Sequence, residues 1–189
     1  MNYIASYKNI NPYNNWYNDI NNLKFHIEER CEEIEKKYNL LTINYNTKLK
    51  EAYKHGEEYG LIYEQHNDST LDIKLRQNNE FISLESEIKS TLEKVLKNII
   101  IHFNLSLKRQ KGKSYLYSYI LEIEEKRGID MSEFSKELKD ILILNENRNN
   151  SEHISDNLLR EIDHQYIKHE LNSVYLYMNK LIQKLFVFS

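Results

Sequence analysis

The sequence predicts an all-α helical bundle of about five helices, and three observations carry that expectation. Apolar residues recur at steps of three and four over long stretches, which gathers them on one face of a helix. No alternating stretch is long enough to make a useful strand. The 189 residues include only four Gly and one Pro (Pro12), far fewer than the turns of a β-sandwich, a barrel or a phosphate-loop fold need.

The first helix is marked by the stripe Trp16, Ile20, Leu23, Ile27, Cys31, Ile34, Tyr38 and Leu41, with Glu28, Glu29, Glu32, Glu33, Lys36 and Lys37 on the opposite, solvated face. The β-branched, Asn-rich run Thr42 to Thr47 predicts a kink or an end. Helical spacing resumes at Leu49, Tyr53 and Tyr59, weakened by Gly56 and Gly60. His66 to Thr70 reads as a loop, with Asp68 or Ser69 as a cap. A second long helix carries Phe81, Leu84, Ile88, Leu92, Val95, Ile99 and Phe103. The basic segment Ser106 to Lys113 reads as an exposed connection. Tyr115 to Arg127 forms a shorter helix closed by Gly128, which tolerates the positive φ of a helix C-terminus. Asp130 or Ser132 caps the next helix, whose inner face is Phe134, Leu138, Ile141 and Leu142. The polar break Asn145 to Ser151 precedes a final long helix with Leu158, Ile162, Leu171, Val174, Met178, Leu181 and Leu185. These elements read as one all-helical domain over 1–189, with an N-terminal helical region at about 14–64 and the remaining bundle at about 70–189.

Composition narrows the function classes. With about 40% apolar and 29% charged residues the chain can bury a core. Lys and Arg number 26 against 29 Asp and Glu, a net charge of −3, so nucleic-acid binding requires a local patch. A helix-turn-helix reader of DNA is disfavoured, since no helix presents a basic face. One cysteine, Cys31, excludes an internal disulfide framework and a multi-Cys zinc site, and its place in the apolar stripe makes it a small core residue. No apolar run reaches membrane-helix length, and the first residues lack a basic-then-apolar signal peptide; the expectation is a soluble cytoplasmic protein. The 23 Asn and 15 Tyr look like base-composition bias in the gene. The two long stripes and the apolar end Leu185-Phe-Val-Phe188 exceed what a thin bundle needs, which predicts homodimerisation through long helices; the other reading is that the tail packs on its own bundle.

The chemistry-bearing residues are few. There is no glycine-rich phosphate loop, no Gly-x-Ser-x-Gly elbow and no His-Glu-x-x-His helix motif. His164 and His169 stand five residues apart, which splays them by roughly 140° on a helix, so no metal site is expected there, and no cofactor is called for. Glu122, Glu124 and Glu125 read as solvated surface acids.

The informative segment is Asn145-Glu-Asn-Arg148-Asn149-Asn150-Ser151-Glu152-His153. An always-charged guanidinium offers a planar fork to phosphate oxygens, and an imidazole that titrates near neutrality can move protons to and from ribose and leaving oxygens. A helix start close by adds backbone N–H groups that can face an anion. RNA brings its own nucleophile, the 2′-hydroxyl, so this pair suffices for phosphodiester cleavage without a metal. The basic residues Lys108, Arg109, Lys111 and Lys113, followed by Tyr115, Tyr117 and Tyr119, make the best candidate for an RNA-holding rim.

Arg148-Asn149-x-x-x-His153, in the last third of an all-helical chain, resembles the Arg-x4-6-His signature of the HEPN superfamily, in which the residue after the Arg is often Asn. The resemblance implies a helical bundle that dimerises so that two Arg/His pairs line one composite cleft. It further implies metal-independent endoribonuclease activity in toxin–antitoxin, abortive-infection or CRISPR-linked defence, with an antitoxin or effector complex as partner. By that analogy Arg148 holds the scissile phosphate, His153 is the acid/base and Asn149 orients the site. One position departs: Ser155 stands where toxins of this superfamily paired with a nucleotidyltransferase antitoxin often carry Tyr. The alternative is a non-catalytic helical adaptor that engages a protein partner through its stripes.

Overall fold

A computed structural model of the chain describes residues 12–54, 59–106, 114–134, 136–142 and 161–187. Among them are five α-helices, one 3-10 turn and no strand: α1 (Pro12–Lys54), α2 (Tyr59–His102), α3 (Tyr115–Arg127), the 3-10 turn Ser132–Phe134, α4 (136–142) and α5 (His164–Val187). Pro12 opens α1 at a position where its missing N–H costs nothing. The expected stripe is buried from Trp16 through Tyr38, whereas Leu41 is exposed.

Two sequence expectations give way to longer helices. α1 runs through Thr42–Thr47 without a break: the Thr42 hydroxyl donates to Tyr38 O at 2.9 Å and the Thr47 hydroxyl to Ile43 O at 2.9 Å, so both satisfy themselves within the helix. The stretch His66–Thr70, read as a loop, lies inside α2. The last helix begins at His164, after a buried Ile162; Leu158 and the break Asn145–Ser151 lie outside the described residues. The end of the chain divides the two readings of the tail, since Leu185 is fully buried while Phe186 and Val187 are exposed.

α1 and α2 are antiparallel, as Asp19–Lys94 and His26–Glu87 ion pairs at one end and Tyr45 Oη to Gln65 O (3.0 Å) at the other require. α5 runs antiparallel to α1, with His164 on Glu35 and the Tyr13 hydroxyl donating to Leu185 O. α3 lies along α2 and α5, where the Arg127 guanidinium sits 4.1 Å from the Phe103 ring centre and the Tyr177 hydroxyl donates to Glu124 at 3.1 Å. Both α2 and α3 end in a left-handed residue with the 6→1 and 5→2 hydrogen bonds of a Schellman motif: Asn104 (φ 50), with Leu105 N to Ile100 O, and Gly128 (φ 61), with Ile129 N to Glu124 O.

The core is the seam among α1, α2, α3 and α5, centred on Ile27, Ile88, Leu92, Leu96, Ile123 and Met178, with Cys31 among them. Burial pushes the Cys31 thiol up to about 11, so it stays protonated and inert near neutrality. Burial stops abruptly along the long pair. Past Tyr38 on α1 and before Asn78 on α2, no described side chain is buried, although Ile73 still packs against the edge of the core; among the described residues the outer part of the hairpin is a two-helix arm.

Truncating a side chain at the centre of the seam removes its transfer energy and leaves a cavity. Ile88→Ala should cost about 2–5 kcal/mol in urea unfolding, while Phe25→Ala, at an exposed position, should stay within about 0.5 kcal/mol of wild type. At the bundle's edge Lys37 and Tyr38 both donate to Glu80, and the Lys37 ammonium above all holds that carboxyl below its ordinary 4.5. A carboxyl depressed by folding contributes stability that is complete above its unfolded value and is lost as pH falls through the folded one. Glu80→Gln should therefore flatten the decline of Tm below about pH 4.5 without altering the shape of the neutral plateau.

Candidate functional site

Arg148, Asn149 and His153, and the basic residues Lys108, Arg109, Lys111 and Lys113, lie outside the described residues. What the structure supplies is the frame on both sides of the Arg148–His153 segment. Before it, α4 packs antiparallel to α5: Lys180 and Lys184 lie over the Phe134 ring, and further along Asp140 accepts from the Ser173 hydroxyl at 3.3 Å and stands 3.3 Å from His169 Nε2. After it, Ile162 N donates to the buried Asn78 Oδ1 at 2.6 Å. His164 and Ser173 are nine residues apart on α5, or about 14 Å along its axis, so the segment leaves and rejoins the bundle at the same end, where α5 begins.

That end collects polar groups from four helices. Asp163 caps α5, taking the Tyr166 N–H on Oδ1 at 2.7 Å and the Ile167 N–H on its carbonyl at 3.2 Å. The Asp163 carboxylate thus takes one of the free N–H groups at the start of α5 and places its own negative charge there. His164, buried, brings Nδ1 to 2.7 Å from Glu35 Oε2, which fixes the tautomer with the proton on Nδ1 while the imidazole is neutral. Its Nε2 is buried with no hydrogen-bond partner among the described residues. His164 and His169 thus engage different carboxylates, Glu35 and Asp140, on opposite sides of α5, as their spacing requires.

Further up, the bundle interior contains ionisable side chains that the periodicity conceals. Glu85 and Lys89 on α2, Glu122 on α3 and Glu170 on α5 are all buried. This corrects the reading of Glu122 and Glu124 as surface acids. Glu122 is buried, Glu124 is half-buried with its carboxyl pushed up by desolvation, and only Glu125 faces solvent. Desolvation likewise drives the Tyr177 hydroxyl, which donates to Glu124, well above its ordinary value. On the helix Glu122 stands about 100° or more from Leu116, Ile120 and Ile123, on a second buried side that it shares with Ser118, so the apolar stripe of α3 gives no sign of its burial.

The tyrosines after the basic segment do not form one strip. Ser114 caps α3, its hydroxyl accepting from Tyr117 N at 3.1 Å, and on that helix Tyr115 and Tyr119 stand together with ring centres 6.4 Å apart. Tyr117, two residues from each, is carried to another side of the helix. Any aromatic platform for a nucleobase at this place rests on Tyr115 and Tyr119 alone.

Among the described residues, the Asn78 side chain ties the C-terminal flank of the segment to α2 by its hydrogen bond from Ile162 N. Asn78→Leu leaves the Ile162 N–H buried without an acceptor and should cost about 1–3 kcal/mol in urea unfolding, whereas Asn78→Asp keeps the acceptor and should recover most of that loss. No family model matches the chain, and none of the curated proteins or solved structures it was compared with matches it either.

Proposed function

We propose that the chain is a metal-independent endoribonuclease of HEPN-like type, with Arg148 and His153 as its working pair. The observation that carries this reading is the Arg148-Asn149-x-x-x-His153 spacing at a junction whose two flanks, α4 and the Ile162–His164 step, are held at one end of an all-helical bundle. In the reaction the RNA 2′-oxygen attacks the adjacent phosphorus as its proton passes to a base. The bond to the 5′-oxygen breaks and that oxygen takes a proton, leaving a 2′,3′-cyclic phosphate and a 5′-hydroxyl. Arg148 neutralises the charge that grows on the phosphoryl oxygens, His153 moves the protons, and Asn149 orients the pair. Lys108, Arg109, Lys111 and Lys113 hold the strand by phosphate contacts. Two protomers contribute to one cleft, and the setting is a cytoplasmic toxin or defence effector, held in check by an antitoxin or a larger complex. No described helix is long and apolar enough to cross a membrane, which leaves such a setting open to it.

One observation favours a second reading, a non-catalytic helical adaptor: the arm presents Leu40, Leu41, Ile43 and Leu71 to solvent, as a partner-binding surface does.

The two readings part in one assay. Purified protein in EDTA should cleave mixed single-stranded RNA and tRNA to products with 2′,3′-cyclic ends, and Arg148→Ala and His153→Ala should each lower the rate by at least about 100-fold with unchanged helicity. Cleavage that needs a divalent metal, or that both variants retain, removes the mechanism; absence of cleavage by wild type leaves the adaptor.

A further inference from the structure

The start of α1 and the end of α5 enclose a cleft of about 440 Å³, within the roughly 300–1,000 Å³ of small-molecule sites. It lies far from the Arg148–His153 frame, since Ile182 stands about 27 Å beyond His164 along α5. Its walls are of two kinds. Tyr13 and Tyr17 on α1 and Phe186 on α5 bring aromatic rings, beside the aliphatic Ile182 and Val187. Asn14 and Gln183 bring carboxamides from exposed positions, and no described residue hydrogen-bonds to either of them. Among the described residues, no charged side chain lines the cleft. The rings are set in advance. Tyr13 donates to Leu185 O at 3.4 Å, and its ring meets those of Trp16 and Phe186 edge to face, with centres 5.1 and 5.4 Å away. Tyr17 follows one turn later on the same side of α1, and the Phe186 plane stands at 88° to Tyr13, so the rings make a corner and not a flat patch.

We propose that this cleft binds a neutral nucleobase, stacked on the tyrosine rings and held at its edge by Asn14 and Gln183. The lining selects that chemistry. A phosphate or an ammonium group finds no opposite charge there. A purely apolar molecule would desolvate the two carboxamides without giving them partners, which costs free energy. A sugar, hydroxylated all round, would meet walls that are mostly apolar. A planar base meets both kinds of wall: its π-face stacks on an aromatic side chain, and its edge presents donors and acceptors side by side, as a carboxamide does. Adenine fits best, because an Asn or Gln amide pairs with its N6 and N7 at once. The base belongs either to a free nucleoside or to a single strand of RNA, and the cleft treats the two alike. The proposal stands on the cleft alone and holds whether or not Arg148 and His153 cleave RNA.

Titration of the full chain with adenosine, followed by saturation-transfer NMR, tests it. Adenosine should bind with a Kd on the order of 1 mM, as suits a small neutral ligand in an open cleft. Asn14→Ala with Gln183→Ala alters only exposed positions and should weaken binding at least about ten-fold. Urea unfolding should stay unchanged in that variant, as should emission from the chain's only tryptophan, the buried Trp16. Tyr17→Leu should lose about ten-fold, whereas Tyr17→Phe keeps the stacking face and should stay within about three-fold of wild type. AMP should bind within about three-fold of adenosine, because no cation lines the cleft. Indole, which stacks but lacks the paired edge, should bind at least about five-fold more weakly than adenosine. No adenosine binding at about 10 mM overturns the proposal. So does binding that the Asn14/Gln183 variant leaves intact, or indole binding as well as adenosine, which would make the cleft merely apolar. AMP binding more than about ten-fold tighter than adenosine also overturns it, since a phosphate site would then lie elsewhere. A single-stranded oligoadenylate separates the two sources. If it binds at least about ten-fold tighter than adenosine and the Asn14/Gln183 variant abolishes the gain, the base is that of RNA; equal binding assigns the free nucleoside.

Discussion

The buried face of α2 between Asn78 and Ile100 is the constraint on which the described structure turns. Among the described residues it packs against α1, α3 and α5 alike, and its apolar side chains, Phe81, Leu84, Ile88, Leu92, Val95, Leu96 and Ile99, are nearly all sealed from solvent. Fully burying such side chains is worth roughly 1.5–3 kcal/mol each, far more than the ion pairs along the α1 edge, which are solvent-exposed and contribute at most about 1 kcal/mol apiece. Packing therefore sets the position of the helices, and the surface charges follow. The same helix also holds Asn78, so the element that organises the core also fixes the end of the bundle where the Arg148–His153 segment rejoins it.

How much of this was legible depends on how each residue declares itself. Stripes at steps of three and four are a direct imprint of burial, and the faces of α1, α2, α3 and α5 were readable from them. The failures have a common physical cause. Thr42, Thr47 and the polar run around Asp68 are residues that compete with helices when isolated, but here the hydroxyls turn back on their own helix and the neighbouring turns carry the segment through. Asn104 ends α2 in the left-handed region much as Gly128 ends α3, and an Asn in an Asn-rich chain gives no such warning. Glu122 is buried off the apolar stripe of α3, on a side that only the neighbouring helices define.

The candidate site shows the reverse situation. Its motif, Arg148-Asn149-x-x-x-His153, is legible from chemistry and spacing. The supporting groups are not, because Glu35, Asn78 and Asp140 come from three helices far apart in the chain and meet only around the start of α5. The buried Glu85, Lys89, Glu122 and Glu170 likewise reward tertiary structure only. Buried polar groups cost stability unless their partners are in place, which makes the α2–α3–α5 interior more demanding of one arrangement than an all-apolar core of the same size.

Tyr38 marks a boundary that the backbone does not show. α1 continues through it unbroken, yet the amides before it lie in a sealed seam and those after it in an open two-helix arm. Local opening follows burial and not secondary structure. Within one continuous helix, the half nearer Pro12 can exchange its amide hydrogens only when the bundle itself comes apart, while the half nearer Lys54 frays on its own, exposing Lys48, Lys50 and Lys54 to a trypsin-like protease. A single helix thus belongs to two cooperative units.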